Sequence, residues 1–220
     1  MRQWTLWVLL LFAVSAQAAE VSGVQVARNG ERFVIGMDIA IHAPAPAVFR
    51  ALQDYAAMAR YNPDLRAVRV VPTPAPDRVR LFTTIHACVL VFCKTMHQVQ
   101  IMMATATADG GTLNAELLPY GDFKGGHGVW IVKPCPKVRA VTCLDVRIEL
   151  VPAFWVPPVI GPWVVTRKMD AEAHYTGDGL EQTARALMGR RSRVRDGGAA
   201  VPSARISAAD RESVRRSSWR

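Results

Sequence analysis

No serine occurs between Ser22 and Ser192. Every Ser-His-Asp hydrolase arrangement is thereby excluded from the body of the chain. HExxH, P-loop and EF-hand patterns are missing too, so no zinc-peptidase, nucleotide-phosphate or calcium chemistry has a motif to rest on. No cofactor or metal is expected. Long apolar runs are also lacking: none reaches the roughly 20 residues that cross a bilayer as a helix. The nearest approach, Trp4 to Val14 broken only by Thr5, follows Arg2 and precedes Ala16-Gln17-Ala18. A basic start, a short apolar stretch and a small-x-small site read as a signal peptide over residues 1–18, hence a periplasmic or secreted protein. An uncleaved N-terminal anchor is the other use of such a run.

Positive charge is present in excess but is not spread through the chain. The formal net charge is +9. Between Gly189 and Arg220 nine Arg face only Asp196, Asp210 and Glu212, which puts +6 in the tail, and Arg2 leaves with the signal. The body retains about +2. That balance, together with export, speaks against a nucleic-acid partner. Residues 189–220 have almost no large apolar side chains beyond Trp219. They cannot offset their ordering entropy and read as a disordered basic tail. Such a tail is either merely solvated or held electrostatically on anionic lipid or envelope polymers.

Four cysteines are few, and they fall in two close pairs, Cys88 with Cys93 and Cys135 with Cys143. Neither pair is a CxxC, and no His is spaced to complete a zinc site. Each pair brackets a reversal of the chain, so two local disulfides are the simplest of the three possible connectivities. An oxidising compartment fits them.

Residues 19–188 read as one domain. Phe33, Ile35, Met37, Ile39 and Ile41 alternate as in a half-buried strand, and Val24-Gln25-Val26 with the turn Arg28-Asn29-Gly30 supplies its hairpin partner. Pro44 and Pro46 open a helical segment with Val48, Leu52, Tyr55 and Ala59 at helical spacing, closed by Asn62-Pro63. Strands are predicted at 66–72, 78–88, 93–107, 112–119, 127–134 and 142–151, separated by Pro, Gly and Asp clusters. Then comes an unusual connector, Pro152 to Trp163, with two Trp, a Phe and four Pro in twelve residues. Connectors are ordinarily polar, so this one should pack over something apolar. Met169, Ala173, Leu180, Ala184 and Leu187 mark a terminal helix, with Gly177 and Gly179 as candidate breaks. The expected class is α+β: a curved antiparallel sheet wrapped around a C-terminal helix, leaving a tunnel between them.

This order of elements resembles the START-like superfamily (SRPBCC, helix-grip fold), in its polyketide cyclase/coenzyme-Q-binding type. Val48-Phe49-Arg50-Ala51-Leu52-Gln53-Asp54-Tyr55, Tyr61-Asn62-Pro63 and Phe154-Trp155-Val156-Pro157-Pro158 carry the resemblance, which covers residues 22 to 188. It implies an apolar cavity in a superfamily that includes both binders and enzymes. A continuous terminal helix is also implied, from which the Gly177 and Gly179 pair departs.

Little catalytic machinery lies beside such a cavity. A cyclase needs a positioned acid or base, for which only Asp54, His97 and Glu116 are candidates. His97, in phase with Thr95, Val99, Ile101 and Met103, is expected on an apolar face, either as a hydrogen-bonded core residue or as a polar anchor for a ligand. His127 is placed likewise by Val129 and Ile131. The glycines at 121, 125, 126 and 128 suggest a mobile turn at the cavity mouth. Phe123, Trp130, Trp155 and Trp163 supply aromatic surface, with Trp155 either capping the cavity or resting at a membrane interface. Val89-Leu90-Val91-Phe92 is either an apolar contact tip or the continuation of two longer strands.

The ligand-binding candidates are therefore Tyr55, His97, Phe123, Trp130, Trp155 and Trp163, with no catalytic residue assigned. The expectation is an exported binder or carrier of a hydrophobic small molecule: a lipid, quinone or polyketide-like compound. Two alternatives stand beside it: a cyclase or dehydratase using the same cavity, and an envelope interaction protein acting through the apolar tip and basic tail.

Overall fold

The computed structural model describes residues 19–197, apart from Pro76, Leu90, Val91, Lys137, Arg139 and residues 157–160. Residues 1–18, expected to be a signal peptide, residues 198–220 of the expected tail, the two tip residues Leu90 and Val91, and the proline-rich middle of the connector lie outside the described residues.

The elements run β1 (Glu20–Asn29), β2 (Arg32–Ile41), α1 (Ala45–Leu52), α2 (Tyr55–Tyr61), β3 (Leu65–Pro72), β4 (Arg78–Val89), β5 (Phe92–Thr107), β6 (Gly110–Leu117), β7 (Phe123–Pro134), β8 (Thr142–Pro152) and α3 (Gly161–Gly197). One curved, 8-stranded antiparallel sheet has the order β1-β2-β8-β7-β6-β5-β4-β3. The α1–α2 pair carries the chain from β2 to the far edge at β3, and the meander then returns until β8 pairs with β2.

Strict alternation makes β2 the spine of the core. Phe33, Ile35, Met37, Ile39 and Ile41 are all buried, in register with Leu150, Ile148, Val146, Leu144 and Thr142 of β8. Each such side chain removed fully from water contributes about 1.5–3 kcal/mol. α1 covers one end of this concave face. Its Ala45, Val48, Phe49 and Leu52 are buried, and the Phe49 ring fills the place of the side chain that Gly111 lacks. Thr142 Oγ1 donates to the carbonyl of Ala43, fixing the turn into α1.

The helical segment expected from Pro44 to Asn62 is two helices. Asp54 separates them by capping α2, its side chain accepting from the backbone N–H of Ala57 at 3.1 Å. An N-cap Asp sits in non-helical backbone, and this outweighs the spacing that continues from Leu52 to Tyr55.

α3 is unbroken through both glycines. Each of them lets the helix approach its neighbours closely. A Cβ at Gly177 would meet Ala19 Cβ at 2.7 Å and Ile39 Cγ2 at 3.0 Å, while Gly179 faces the ring of Tyr61. The residues through Leu187 form one compact unit. α3 itself runs on to Gly197, into the segment whose composition reads as tail.

Both expected disulfides are present. Cys88–Cys93 joins direct partners of the β4–β5 ladder, and Cys135–Cys143 closes the β7–β8 connection.

Candidate functional site

Register decides which side chains face α3. β2 turns Phe33 and Ile39 toward the helix, since Gly161 packs by Phe33 and Gly177 by Ile39. Following the pairs across the sheet from these positions, the same concave face carries Val146 and Ile148 of β8, Gly126, Gly128 and Trp130 of β7, and Leu113, Ala115 and Leu117 of β6. Beyond them it carries Gln100 and Met102 of β5 and Leu81 and Thr83 of β4.

Trp130 is half-buried on this face and lies across Gly128: a Cβ there would stand 2.7 Å from the indole Cη2 and Cζ3. Glycine is needed because the strand must leave room for a flat indole. Tyr55, the first residue of α2, is buried, and burial pushes its hydroxyl pKa up to about 12. Phe123 is buried at the start of β7, opposite Pro152. Three of the six candidates therefore lie inside the protein.

The other three do not. His97 stands opposite Thr84 on the convex face and is exposed. Its Nδ1 is 3.3 Å from Thr84 Oγ1, and its backbone N–H donates to Asp122 Oδ2 at 2.9 Å. It shares that face with Val99, which is buried, and with half-buried Ile101 and Met103; the register turns Gln98, Gln100 and Met102 toward α3 and His97 outward. His127, between Glu116 and Glu149 in the ladder, is exposed on the convex side for the same reason. Trp155 in the connector is 77% exposed and Trp163 in the first turn of α3 is 55% exposed.

The glycine-dense segment forms part of β7 instead of a loose turn. The strand begins at Phe123, with a register shift between Phe123 and Gly125. The chain reverses before it, at Gly121, whose φ is 60°.

A cleft of about 50 Å³ opens at one end of the sheet, lined by Arg28, Glu31, Phe33, Phe154, Trp155 and Val156. Cations stack on the aromatics around it: Arg28 over Phe33 at 5.4 Å, Lys94 over Phe154 at 4.7 Å and Arg167 over Trp163 at 5.1 Å. Each such contact at a partly exposed site contributes about 0.5–1 kcal/mol. Of the three, only Lys94–Phe154 ties the connector to the sheet, since Arg28–Phe33 lies within the β1–β2 hairpin and Arg167–Trp163 within α3.

Two carboxylates of α3, Glu172 half-buried and Glu181 buried, are absent from the sequence expectations. Glu172 accepts from Asn62 Nδ2, and beside this pair Lys168 binds Asp64. Burial pushes the Glu172 carboxyl above the ordinary carboxylate range, and Lys168 and Asn62 offset only part of the effect. Burial and the charge of Glu172 likewise raise the Tyr61 hydroxyl. Further along, buried Glu181 accepts from the backbone N–H of His42 at 2.9 Å and pairs with Arg185 at 2.6 Å. The signal for both was present, since Glu172 adjoins Ala173 and Glu181 adjoins Leu180 on the apolar stripe of the helix.

The cyclase candidates do not converge. Asp54 is a helix cap, while His97 and Glu116 are exposed residues of the sheet. His86, Cys88 and Cys93 place three potential metal-ligand atoms within 4.8 Å of one another, but both sulfurs are committed to a disulfide.

No family model matches the chain, and no curated protein matches it in sequence. Solved structures do. Human StAR-related lipid transfer protein 5 superposes with a TM-score of 0.54 at 10% identity, over 77% of this chain and 89% of its own. A STAR-related lipid transfer protein from Xanthomonas axonopodis gives 0.52 at 15% identity, over 74% and 99%. The Zhui aromatase/cyclase from Streptomyces sp. R1128 gives 0.50 at 12% identity, over 74% and 96%. At such identities the likeness is one of architecture, a curved antiparallel sheet closed by a C-terminal helix: the chain has the helix-grip fold of the START-like superfamily.

Proposed function

We propose that this protein is an exported carrier of one hydrophobic small molecule, held between the concave face of the sheet and α3. The observation that carries the reading is Trp130, half-buried on the apolar concave face with its indole laid flat across Gly128. An indole so placed offers a flat apolar wall to a ligand. The likeness in fold to proteins named for lipid transfer supports the ligand class. Two disulfides support an oxidising compartment.

Phe154 to Val156 and the first turn of α3 form the lid of the site. Its cleft of about 50 Å³ is far below the roughly 300–1,000 Å³ that a drug-sized ligand fills. Loading therefore requires Phe154 to Val156 and the start of α3 to swing outward, breaking the contact of Lys94 with Phe154. Trp155 and Trp163 then form the rim that touches the membrane from which an apolar ligand is collected.

Native mass spectrometry of the protein purified from the periplasm, with organic extraction of whatever it releases, tests the carrier reading. A stoichiometric isoprenoid, quinone or acyl lipid is the expected result. A folded, disulfide-bonded protein that neither carries nor takes up any apolar molecule would overturn it.

A further inference from the structure

Thr83 is 6% exposed, and its hydroxyl has no hydrogen-bond partner. A hydroxyl taken out of water and left unpaired is costly, so buried polar side chains nearly always have a partner. On β4 it is in phase with Leu81 and Ile85, and it stands directly between Val68 of β3 and Gln98 of β5. Two residues beyond Gln98, Gln100 stands between Leu81 and Leu117. Gln98 and Gln100 are half-buried, and among the described residues no side-chain hydrogen bond holds either of them. One hydroxyl and two carboxamides thus form a short polar strip on an otherwise apolar part of the concave face.

The strip offers donors and acceptors but no charge. Val68, Leu81, Ile85 and Leu117 around it are uncharged as well. On α3, Lys168 and Glu172 are already held by Asp64 and Asn62. An ionised headgroup brought here would lose its hydration and meet no counter-charge. A pure hydrocarbon would leave the strip unpaired. A carbonyl or hydroxyl oxygen on an apolar body avoids both penalties.

We infer that Thr83, Gln98 and Gln100 anchor the ligand and select neutral, oxygen-bearing hydrophobic molecules over both hydrocarbons and ionised lipids. The inference rests on the carrier reading and narrows it to a ligand class.

Binding of dodecane, 2-dodecanone and dodecanoate to the full mature chain, followed by tryptophan fluorescence and native mass spectrometry, tests it. The ketone should bind about tenfold more tightly than either of the others, the size of one satisfied hydrogen bond. Gln100→Leu and Thr83→Val should bring ketone and alkane to near parity without weakening the alkane, while Thr83→Ser keeps the preference. The comparison of ligands on the unaltered protein stands even where a variant folds poorly. Equal binding of all three, or tightest binding of dodecanoate, overturns the anchor and leaves the carrier reading in place. Binding of none of the three overturns the carrier reading and the anchor with it.

Discussion

The ring of Tyr61 occupies the place where a side chain on Gly179 would stand: a Cβ built there would lie 2.0 Å from its Cγ and 2.3 Å from its Cδ2. Helix propensity favours alanine over glycine by about 1 kcal/mol. Here the contact opposes that gain, because the ring is wedged between α2 and α3. Gly179→Ala should therefore destabilise the protein by about 1–3 kcal/mol, the usual cost of overpacking. At Gly189, on the same helix, no atom of the described residues lies within 4 Å of the Cβ position. Gly189→Ala should follow propensity and be neutral or slightly stabilising. Urea unfolding of the two variants, read by circular dichroism, makes the comparison.

Each disulfide closes a short loop, spanning sequence separations of 5 and 8 residues. On the loop-entropy account each stabilises by about 2 kcal/mol. Cys88→Ala/Cys93→Ala and Cys135→Ala/Cys143→Ala should each lower the free energy of unfolding by about that much. Their effects should add, since the bridges lie on different hairpins. Thermal unfolding of the two double variants and the quadruple variant measures both quantities.

Most of the fold was legible because the strands alternate and their turns are punctuated. The predicted 78–88 and 142–151 became Arg78–Val89 and Thr142–Pro152, almost unchanged. The site was far less legible. In Ile101-Met102-Met103 both phases are apolar, so alternation within β5 cannot choose a face. That choice is made by Leu113, Ala115 and Leu117 across the ladder, and it sends His97 outward and Gln98 and Gln100 inward. Gly177 and Gly179 read as breaks because propensity is local, whereas their use is a close approach to Ile39 and Tyr61. A lone Glu172 in an apolar stripe looks like a solvated charge until Asn62, 110 residues away, is found beside it.

That carboxyl makes stability depend on pH. Its folded pKa is raised above the unfolded value, mainly by burial. The folded state therefore binds the proton more tightly than the unfolded one, and stability falls as pH rises from about 4.3 through the raised pKa. Glu172→Gln keeps a group able to accept from Asn62 and removes the charge. At neutral pH the variant should match the native protein or exceed it by roughly 2–4 °C in melting temperature. The difference should vanish below about pH 4. Melting curves of both proteins across pH 4 to 8 check this, and a gap that widens on acidification would show the charge to be stabilising.

Trp155 in the connector and Trp163 in the first turn of α3 are exposed aromatics, and they contribute little to the folded state. A residue that is 77% exposed buries little surface, so Trp155→Ala should change stability by less than about 0.5 kcal/mol. At a bilayer the same rings would rest among the headgroups, with Arg167 beside Trp163 drawn to anionic lipid. Trp155→Ala/Trp163→Ala should then reduce binding to phosphatidylglycerol-containing vesicles by about tenfold or more at unchanged melting temperature. Arg167→Gln should reduce it less, and only at low salt, because a single interfacial charge contributes about 1 kcal/mol and is screened. Vesicle cosedimentation of the full chain at two salt concentrations separates the contributions. If the double tryptophan variant sediments as the native protein does, the rim is not the contact surface. The association would then have to come from the arginine-rich C-terminal segment, whose removal would abolish it.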